Sequence, residues 1–273
     1  MASRTTPGRL LLDVGGTFIK CGDGRSVPVR SSGSRQEIEA ALREAVSGSG
    51  SVPSEVAVAI PGPFDYRGGT FLMKHKYASV YGLDFRELAG LPEGTDIRYM
   101  HDVNALLAGC IRRLSLQEGG CAVVTLGTGL GFSCAIQGRI SCNEGLSPAV
   151  SLWNRPYGDG ILEDRISARG ITSDYALRCG GTVLSPLEIS LRARAGEPEA
   201  VSTYSGTGSL LGEALRPLCE QFSLTTVLFG GQISKSLDLM LPSLTSALPG
   251  ISLMASPDGA VFDGLETLFG TNE

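Results

Sequence analysis

Two stretches of this chain are written on one plan. Residues 10–24 read LLLDVGGTFIKCGDG and residues 122–138 read AVVTLGTGLGFSCAIQG. Each is an apolar, strand-like run that enters a glycine–threonine turn, returns as a second apolar run and ends on glycine. Chance also produces echoes this short. Taken as real, the echo predicts two domains of similar plan, each offering a glycine hairpin to a shared cleft. The 273 residues are enough for two modest domains with separate cores.

The patterning around the echo fits that division. Strands are expected at Arg9–Val14, Phe18–Gly22 and Ser26–Arg30. Ile38, Ala41, Leu42 and Ala45 then fall at helical spacing after Ser34. Glu55–Ile60 and Asp96–Tyr99 read as further strands, and Asp102 to Leu114 as a helix. The polar, glycine-ended SLQEGG at Ser115–Gly120 reads as a hinge, so the predicted domains are 1–115 and 116–273. In the second, strands are expected at Cys121–Leu126, Gly131–Ile136, Thr226–Phe229 and Ile251–Met254. Helices are expected at Gly160–Ala168, Ser173–Cys179, Ser185–Ala195, Gly208–Phe222, Ser234–Leu248 and Gly259–Phe269. Strands alternating with helices, together with antiparallel hairpins, give an α/β fold with mixed sheets.

Composition removes several classes of function. A net charge of -5 and the lack of a basic tract argue against a nucleic-acid partner. The longest apolar run, Cys121 to Ile136, is broken by Gly127, Thr128, Gly129 and Gly131, so no membrane span is expected. Met1–Leu12 has no apolar core of the kind a signal peptide needs. The 7 cysteines are odd in number and none is in CxxC spacing, which points to buried free thiols in a reducing compartment and a cytoplasmic location. His75 and His101 are the only histidines, too few for a His-rich metal site.

Four segments have the chemistry of a phosphate-handling enzyme, and each has a plainer reading. In Asp13-Val14-Gly15-Gly16-Thr17 a carboxylate at a strand end meets two glycines and a hydroxyl. Glycines there allow positive φ and let backbone N–H groups approach a phosphate. Asp13 is then placed to hold Mg²⁺ through water, and Lys20 faces either phosphate or solvent. The same residues also make a tight β-turn with an Asx cap. Gly127-Thr128-Gly129 weakens a strand end for no packing gain, which suggests close approach of a ligand or of another backbone. Asp102, where a strand gives way to a helix, can cap that helix or take a proton from an attacking hydroxyl. Gly230-Gly231, between a buried strand and a Ser-started helix, can bed a flat adenine or simply connect the two elements.

The order DxGGT, PGP, HDxNA, LGTGLG, FGG resembles the ROK family of sugar kinases and related repressors, from about Leu10 to Gly270. The resemblance implies the two-domain actin-like ATPase (ribonuclease H-like) fold with an interdomain cleft, the last helix packing back on the first domain. It implies transfer of the γ-phosphate of Mg-ATP to a hexose or an N-acetylhexosamine. Asp13, Gly15, Gly16 and Thr17 become the first phosphate loop, Gly127, Thr128 and Gly129 the second, and Gly230 and Gly231 the adenosine loop. Asp102 becomes the catalytic base, and Gly62, His101 and Glu163 contact the sugar. The family's habit points to a homodimer.

The chain also departs from the family. His101 stands where an Asn is usual, and the Glu-x-Gly-His segment and the zinc-binding cysteines are missing. No structural zinc is therefore expected. Trp153 to Gly160 stands in their place, followed by a matching Leu162-Glu163 segment whose Glu is equally readable as a solvated helix-start residue. A sugar kinase is the first reading. The alternative is a catalytically weak or inactive sugar- and nucleotide-binding sensor of the same fold. Retention of Asp102 with both phosphate loops favours the kinase.

Overall fold

The structure, a computed structural model, describes residues 8–270. They form two compact units. The first comprises residues 8–113, Cys142–Ser147 and residues 259–270. Its elements are β1 (Arg9–Val14), β2 (Phe18–Cys21), β3 (Ser26–Pro28), α1 (Arg35–Ser47), β4 (Glu55–Ile60), the short hairpin β5 (Phe64–Asp65) and β6 (Thr70–Phe71), α2 (Phe85–Ala89), β7 (Asp96–His101) and α3 (Asp102–Leu114).

The main sheet runs β3-β2-β1-β4-β7, with the hairpin antiparallel and β1, β4 and β7 mutually parallel. Both faces of β4 are covered, which is why EVAVAI is almost continuously apolar. On one face α1 buries Ile38, Ala41, Leu42, Ala45 and Val46. Ser34 and Glu37 start that helix with a reciprocal capping box. Ile38 and Leu42 are fully buried, each worth roughly 1.5–3 kcal/mol of transfer free energy. On the other face Leu11, Ala57 and Ala59 pack with Ala105 of α3 and Leu265 of the last helix, Ala260–Glu266. Gly109 and Gly264 let these two helices touch through their backbones. A Cβ on Gly109 would run into the Ala260 carbonyl, and one on Gly264 into that of Ala105.

The second unit comprises Leu114–Ser141 and Pro148–Asp258. It contains β8 (Gly120–Leu126), β9 (Leu130–Ile136), β10 (Arg139–Ile140), the hairpin β11 (Pro156–Tyr157) and β12 (Gly160–Ile161), α4 (Glu163–Ile166), α5 (Ala168–Arg178), α6 (Pro186–Arg194), α7 (Pro198–Gln221), β13 (Leu224–Gly230), α8 (Leu237–Ala247) and β14 (Ser252–Ala255). Its sheet runs β10-β9-β8-β13-β14, again an antiparallel hairpin leading into three parallel strands. The two sheets thus repeat one strand order, the structural counterpart of the echo.

Three expectations need correction. The helix expected over Gly160–Ala168 is instead a strand, one helical turn and a break at Ser167, whose ψ of 177° is extended. The helix that follows starts at Ala168 rather than Ser173. The helix expected from Gly208 begins at Pro198. Residues 198–207 include Ser, Thr and Gly of weak helical propensity, yet their helix buries Ala200, Thr203, Tyr204 and Thr207. Packing overrides propensity there, and Gly208 and Gly212 then bring the helix close against Met240 and Ala247.

Candidate functional site

In open parallel sheets, ligands bind beyond the carboxyl ends of the strands. In the first unit that edge carries the Gly15-Gly16-Thr17 turn after β1, Pro61-Gly62 after β4, and His101-Asp102 where β7 meets α3. In the register, Asp13 is level with Ala59, and Ala59 with Met100. Asp13 and Met100 are therefore two strand spacings apart, roughly 10 Å.

Asp13 sits opposite Lys20 across the hairpin, with Lys20 Nζ 3.7 Å from Asp13 Oδ2. Burial raises the Asp13 carboxyl most. Lys20 opposes that rise, the Asp102 charge adds to it, and the group ends at about 6. Gly15 and Gly16 lie outside the left-handed region, so positive φ is not their purpose. Space is: a Cβ on Gly15 would sit 3.1 Å from the Phe18 carbonyl, and one on Gly16 would sit 3.4 Å from Ser31 Oγ. Thr17 is exposed at the tip. Tyr77, which the sequence did not flag, donates from its hydroxyl to the Gly15 carbonyl at 2.5 Å and braces the turn.

Asp102 opens α3, and its Oδ1 accepts the Val103 N–H at 2.8 Å. The same oxygen lies 2.9 Å from His101 Nδ1. Burial alone would raise this carboxyl. The adjoining His101, the Val103 N–H and the charge of Lys76 outweigh it and hold Asp102 below the usual carboxylate range. Oδ1 is committed to the start of the helix, while Oδ2 makes no hydrogen bond among the described residues. Gly62 lies beside His101, where a Cβ would come 3.5 Å from Nε2. Tyr66 completes the wall. Its ring is 5.9 Å from that of His101, and its hydroxyl donates to the Ile60 carbonyl at 3.0 Å. Neither Tyr66 nor Tyr77 belongs to a periodic segment, so nothing in the local sequence marks them.

The second unit gathers its glycines on the matching edge. Gly127-Thr128-Gly129 is the loop between β8 and β9, closed by the Gly127 N–H donating to the Gly129 carbonyl at 3.1 Å. A Cβ on Gly127 would meet nothing within 4 Å. Gly231, at φ 87°, packs where a Cβ would strike the backbone of Leu126, so the two glycine segments are neighbours. The Ala168 N–H at the start of α5 donates to the Gly127 carbonyl at 2.9 Å. Glu163 of α4 reaches this hairpin: its Oε2 accepts the Leu130 N–H at 2.8 Å, and a Cβ on Gly129 would press on it at 2.8 Å. One oxygen of Glu163, which the resemblance assigns to the sugar, holds the first backbone N–H of β9.

Hard oxygen donors suit Mg²⁺, and a buried carboxyl pushed up by burial and by a second carboxylate gains from a nearby cation. Asp13 fits that role. Among the described residues no three His, Cys, Asp or Glu side chains are grouped to hold a metal ion.

No family model matches the chain, and no curated protein sequence matches it. Solved structures do match. A ROK family glucokinase from Streptomyces griseus, in complex with glucose and AMPPNP, superimposes with a TM-score of 0.76 at 21% identity, over 95% of this chain and 98% of that one. A ROK hexokinase from Thermus thermophilus gives 0.67 at 22% identity, over 94% and 95%. A ROK family transcriptional regulator homologous to the E. coli MLC protein gives 0.73 at 18% identity, over 95% and 77%. The fold is therefore the one these kinases and this regulator share, and the motifs in the sequence resemble those of the same family.

Proposed function

We propose that the chain is an ATP-dependent sugar kinase of the ROK type, phosphorylating a hydroxyl of a hexose or N-acetylhexosamine. The observation that carries this reading is Asp102, held ionised at a sheet edge with one oxygen tied down and the other open. Asp13, Gly15, Gly16, Thr17 and Lys20 form one phosphate loop, and Gly127, Thr128 and Gly129 form another. Gly230 and Gly231 bed the adenosine. Asp13 would hold Mg²⁺, which would supply charge neutralisation on the phosphates. The sugar lies against Gly62, His101 and Asp102.

In this mechanism Asp102 Oδ2 accepts the proton of the attacking hydroxyl as the new O–P bond forms. Phosphoryl transfer has a loose transition state, so the backbone N–H groups of the glycine turns and the alignment of the hydroxyl provide most of the rate. Glu163 braces the second turn by holding the Leu130 N–H. Tyr77 braces the first through Gly15.

The experiment is an ATP-consumption screen with Mg²⁺ over neutral hexoses, 2-acetamido hexoses and ketohexoses. The kinase reading expects sugar-dependent ADP release from at least one class. If no sugar stimulates turnover while sugar and nucleotide still bind, the chain is a sensor of the same fold. That second reading is favoured by the missing Glu-x-Gly-His segment.

A further inference from the structure

Lysine is scarce in this chain, with 4 residues against 19 arginines. Lys235 is exposed in the second unit. The other three belong to the first. Lys20 stands opposite Asp13 on the hairpin, and Lys74 and Lys76 lie in the loop between β6 and the helical turn at Ala78–Val80. Lys74 sits over the ring of Tyr81, its Nζ 5.2 Å from the centroid. Lys76 is half-buried and has no ion pair among the described residues, since Asp13 has Lys20 and the near partner of Asp102 is His101.

Two anchors place Lys76. The next residue, Tyr77, is pinned at both ends: its N–H donates to the Ser31 carbonyl at 2.6 Å, and its hydroxyl to the Gly15 carbonyl at 2.5 Å. Ser31 in turn donates its N–H to the Gly16 carbonyl at 3.0 Å. The Lys76 backbone, one Cα spacing from Tyr77, is therefore fixed beside the first glycine turn. Its side chain points its charge at the other end of the edge. Against burial, which raises the Asp102 carboxyl, Lys76 joins His101 and the Val103 N–H in lowering it. Lys76 thus stands in the gap between the turn and the carboxylate, where β1 and β7 are roughly 10 Å apart.

A phosphoryl donor on that turn meets an electrostatic difficulty. Asp102 must be ionised to take a proton, and the group attacked beside it is itself an anion. Like charges repel most where water is partly excluded. A cation between them offsets that repulsion, and one that touches the equatorial oxygens of the phosphoryl group stabilises it while its bonds change. Arginine would close a two-bonded fork on Asp102 and occupy the oxygen that the proton needs. Lysine is a compact charge with three rotatable donors.

Resting on the kinase reading, we propose that Lys76 is a further catalytic residue, whose ammonium binds the terminal phosphoryl group of the nucleotide beside Asp102 and stays with it during transfer. The hydroxyl O–P bond forms, the bond from that phosphorus to the bridging oxygen breaks, and the hydroxyl proton goes to Asp102 Oδ2. Lys76 keeps its own protons throughout.

The test compares the full parent chain with Lys76→Met and Lys76→Arg. Calorimetry with Mg-AMPPNP and Mg-ADP needs no turnover. Lys76→Met should weaken AMPPNP about tenfold or more and ADP about twofold or less, because only the first carries the terminal group. Lys76→Arg keeps the charge and should keep most of the AMPPNP affinity. With the best sugar from the screen, Lys76→Met should lower kcat about 10²-fold and leave the sugar KM within a few-fold. Raising the pH should not recover that loss, as it would if Lys76 only kept Asp102 ionised. Equal losses for both nucleotides, or none for AMPPNP, overturn the proposal. So does a preference for a phosphorylated sugar that Lys76→Met abolishes with nucleotide affinities unchanged, since that gives the ammonium to an anion on the acceptor. If the parent binds both nucleotides but turns over no sugar, the kinase reading fails and the nucleotide comparison still decides what Lys76 binds. A parent that binds neither nucleotide overturns both.

Discussion

The two sheets share a strand order, β3-β2-β1-β4-β7 against β10-β9-β8-β13-β14, but the corresponding edges are chemically unlike. In the first unit the strand ends present side chains: two carboxylates, an imidazole and a lysine. In the second they present glycine backbone, and a carboxylate there, Glu163, holds a backbone N–H. A duplicated fold repeats the geometry that brings strand ends together, and each copy fills that geometry differently. On the kinase reading, the ionisable groups stand where a proton would move. On the same reading, the bare N–H groups would hold a polyanion without a full countercharge, which suits a chain of net charge -5.

The sharpest way to break this contrast is to remove the charge from the first edge. Asp102→Asn keeps the size and can still accept the Val103 N–H, but it cannot take the proton as a carboxylate does. Turnover should fall roughly 10²- to 10⁴-fold, while sugar affinity measured by calorimetry changes little. Turnover within a few-fold of the parent would make Asp102 only a helix cap.

The corresponding change on the second edge is Gly127→Ala. The added methyl meets nothing in the folded chain, so melting should be unaffected. If phosphate lies against that backbone, misplacing it should cost about 10²-fold in kcat/KM for ATP. Gly129→Ala is a less clean test, because its methyl also pushes on Glu163. Unchanged ATP kinetics for Gly127→Ala would remove the second phosphate loop from the site.

A third test separates function from stability at Asp13. Its folded-state carboxyl is raised to about 6, above its ordinary value of 3.8. The native state therefore favours the protonated form. The ionised group costs stability that is absent below the unfolded value and fully developed above about pH 6. Asp13→Asn should raise the melting temperature of the nucleotide-free chain near pH 8, by an amount equivalent to about 1–3 kcal/mol. The gain should vanish as the pH falls through the range from 6 to 3.8. Mg-ATP should stabilise the parent more than the variant. A variant less stable than the parent at pH 8 would reverse the sign of this argument.

The smallest effect belongs to Glu163. Glu163→Gln retains an acceptor for the Leu130 N–H, so the hairpin should survive with a change of about 1 kcal/mol or less. We expect a few-fold shift in KM for ATP and none for sugar. A tenfold or larger rise in the sugar KM alone would instead give Glu163 to the sugar.

Much of this was legible from local signals. The glycine turns, the hairpins around them and the strand-to-helix junction at Asp102 are specified by neighbours in the chain: apolar runs, glycine, a capping carboxylate. The strand Asp96–His101 was read two residues short, because Met100 and His101 are poor strand markers on their own. The stretch from Phe64 to Ala89, which supplies Tyr66 and Tyr77, has only two-residue strands and short helical turns. No periodicity can emerge from elements that brief.

By itself the sequence determined the α/β class, the doubled hairpin plan and the candidate residues on both strand edges, because strand patterning and turn chemistry act over a few residues. Tertiary structure decided what depends on distant partners. Cys142–Ser147 is grouped with the first unit although it follows β10 in the chain. There Asn104 Nδ2 of α3 donates to the Leu146 carbonyl at 3.2 Å. The last helix lies on Leu11, Ala57 and Ala59 because Gly109 and Gly264 admit it. Glu163 holds the Leu130 N–H from 33 residues away. The 2.9 Å contact between His101 Nδ1 and Asp102 Oδ1 exists only where β7 gives way to α3. Such roles are set by where the backbone brings a group, and a one-dimensional pattern records only which group is brought.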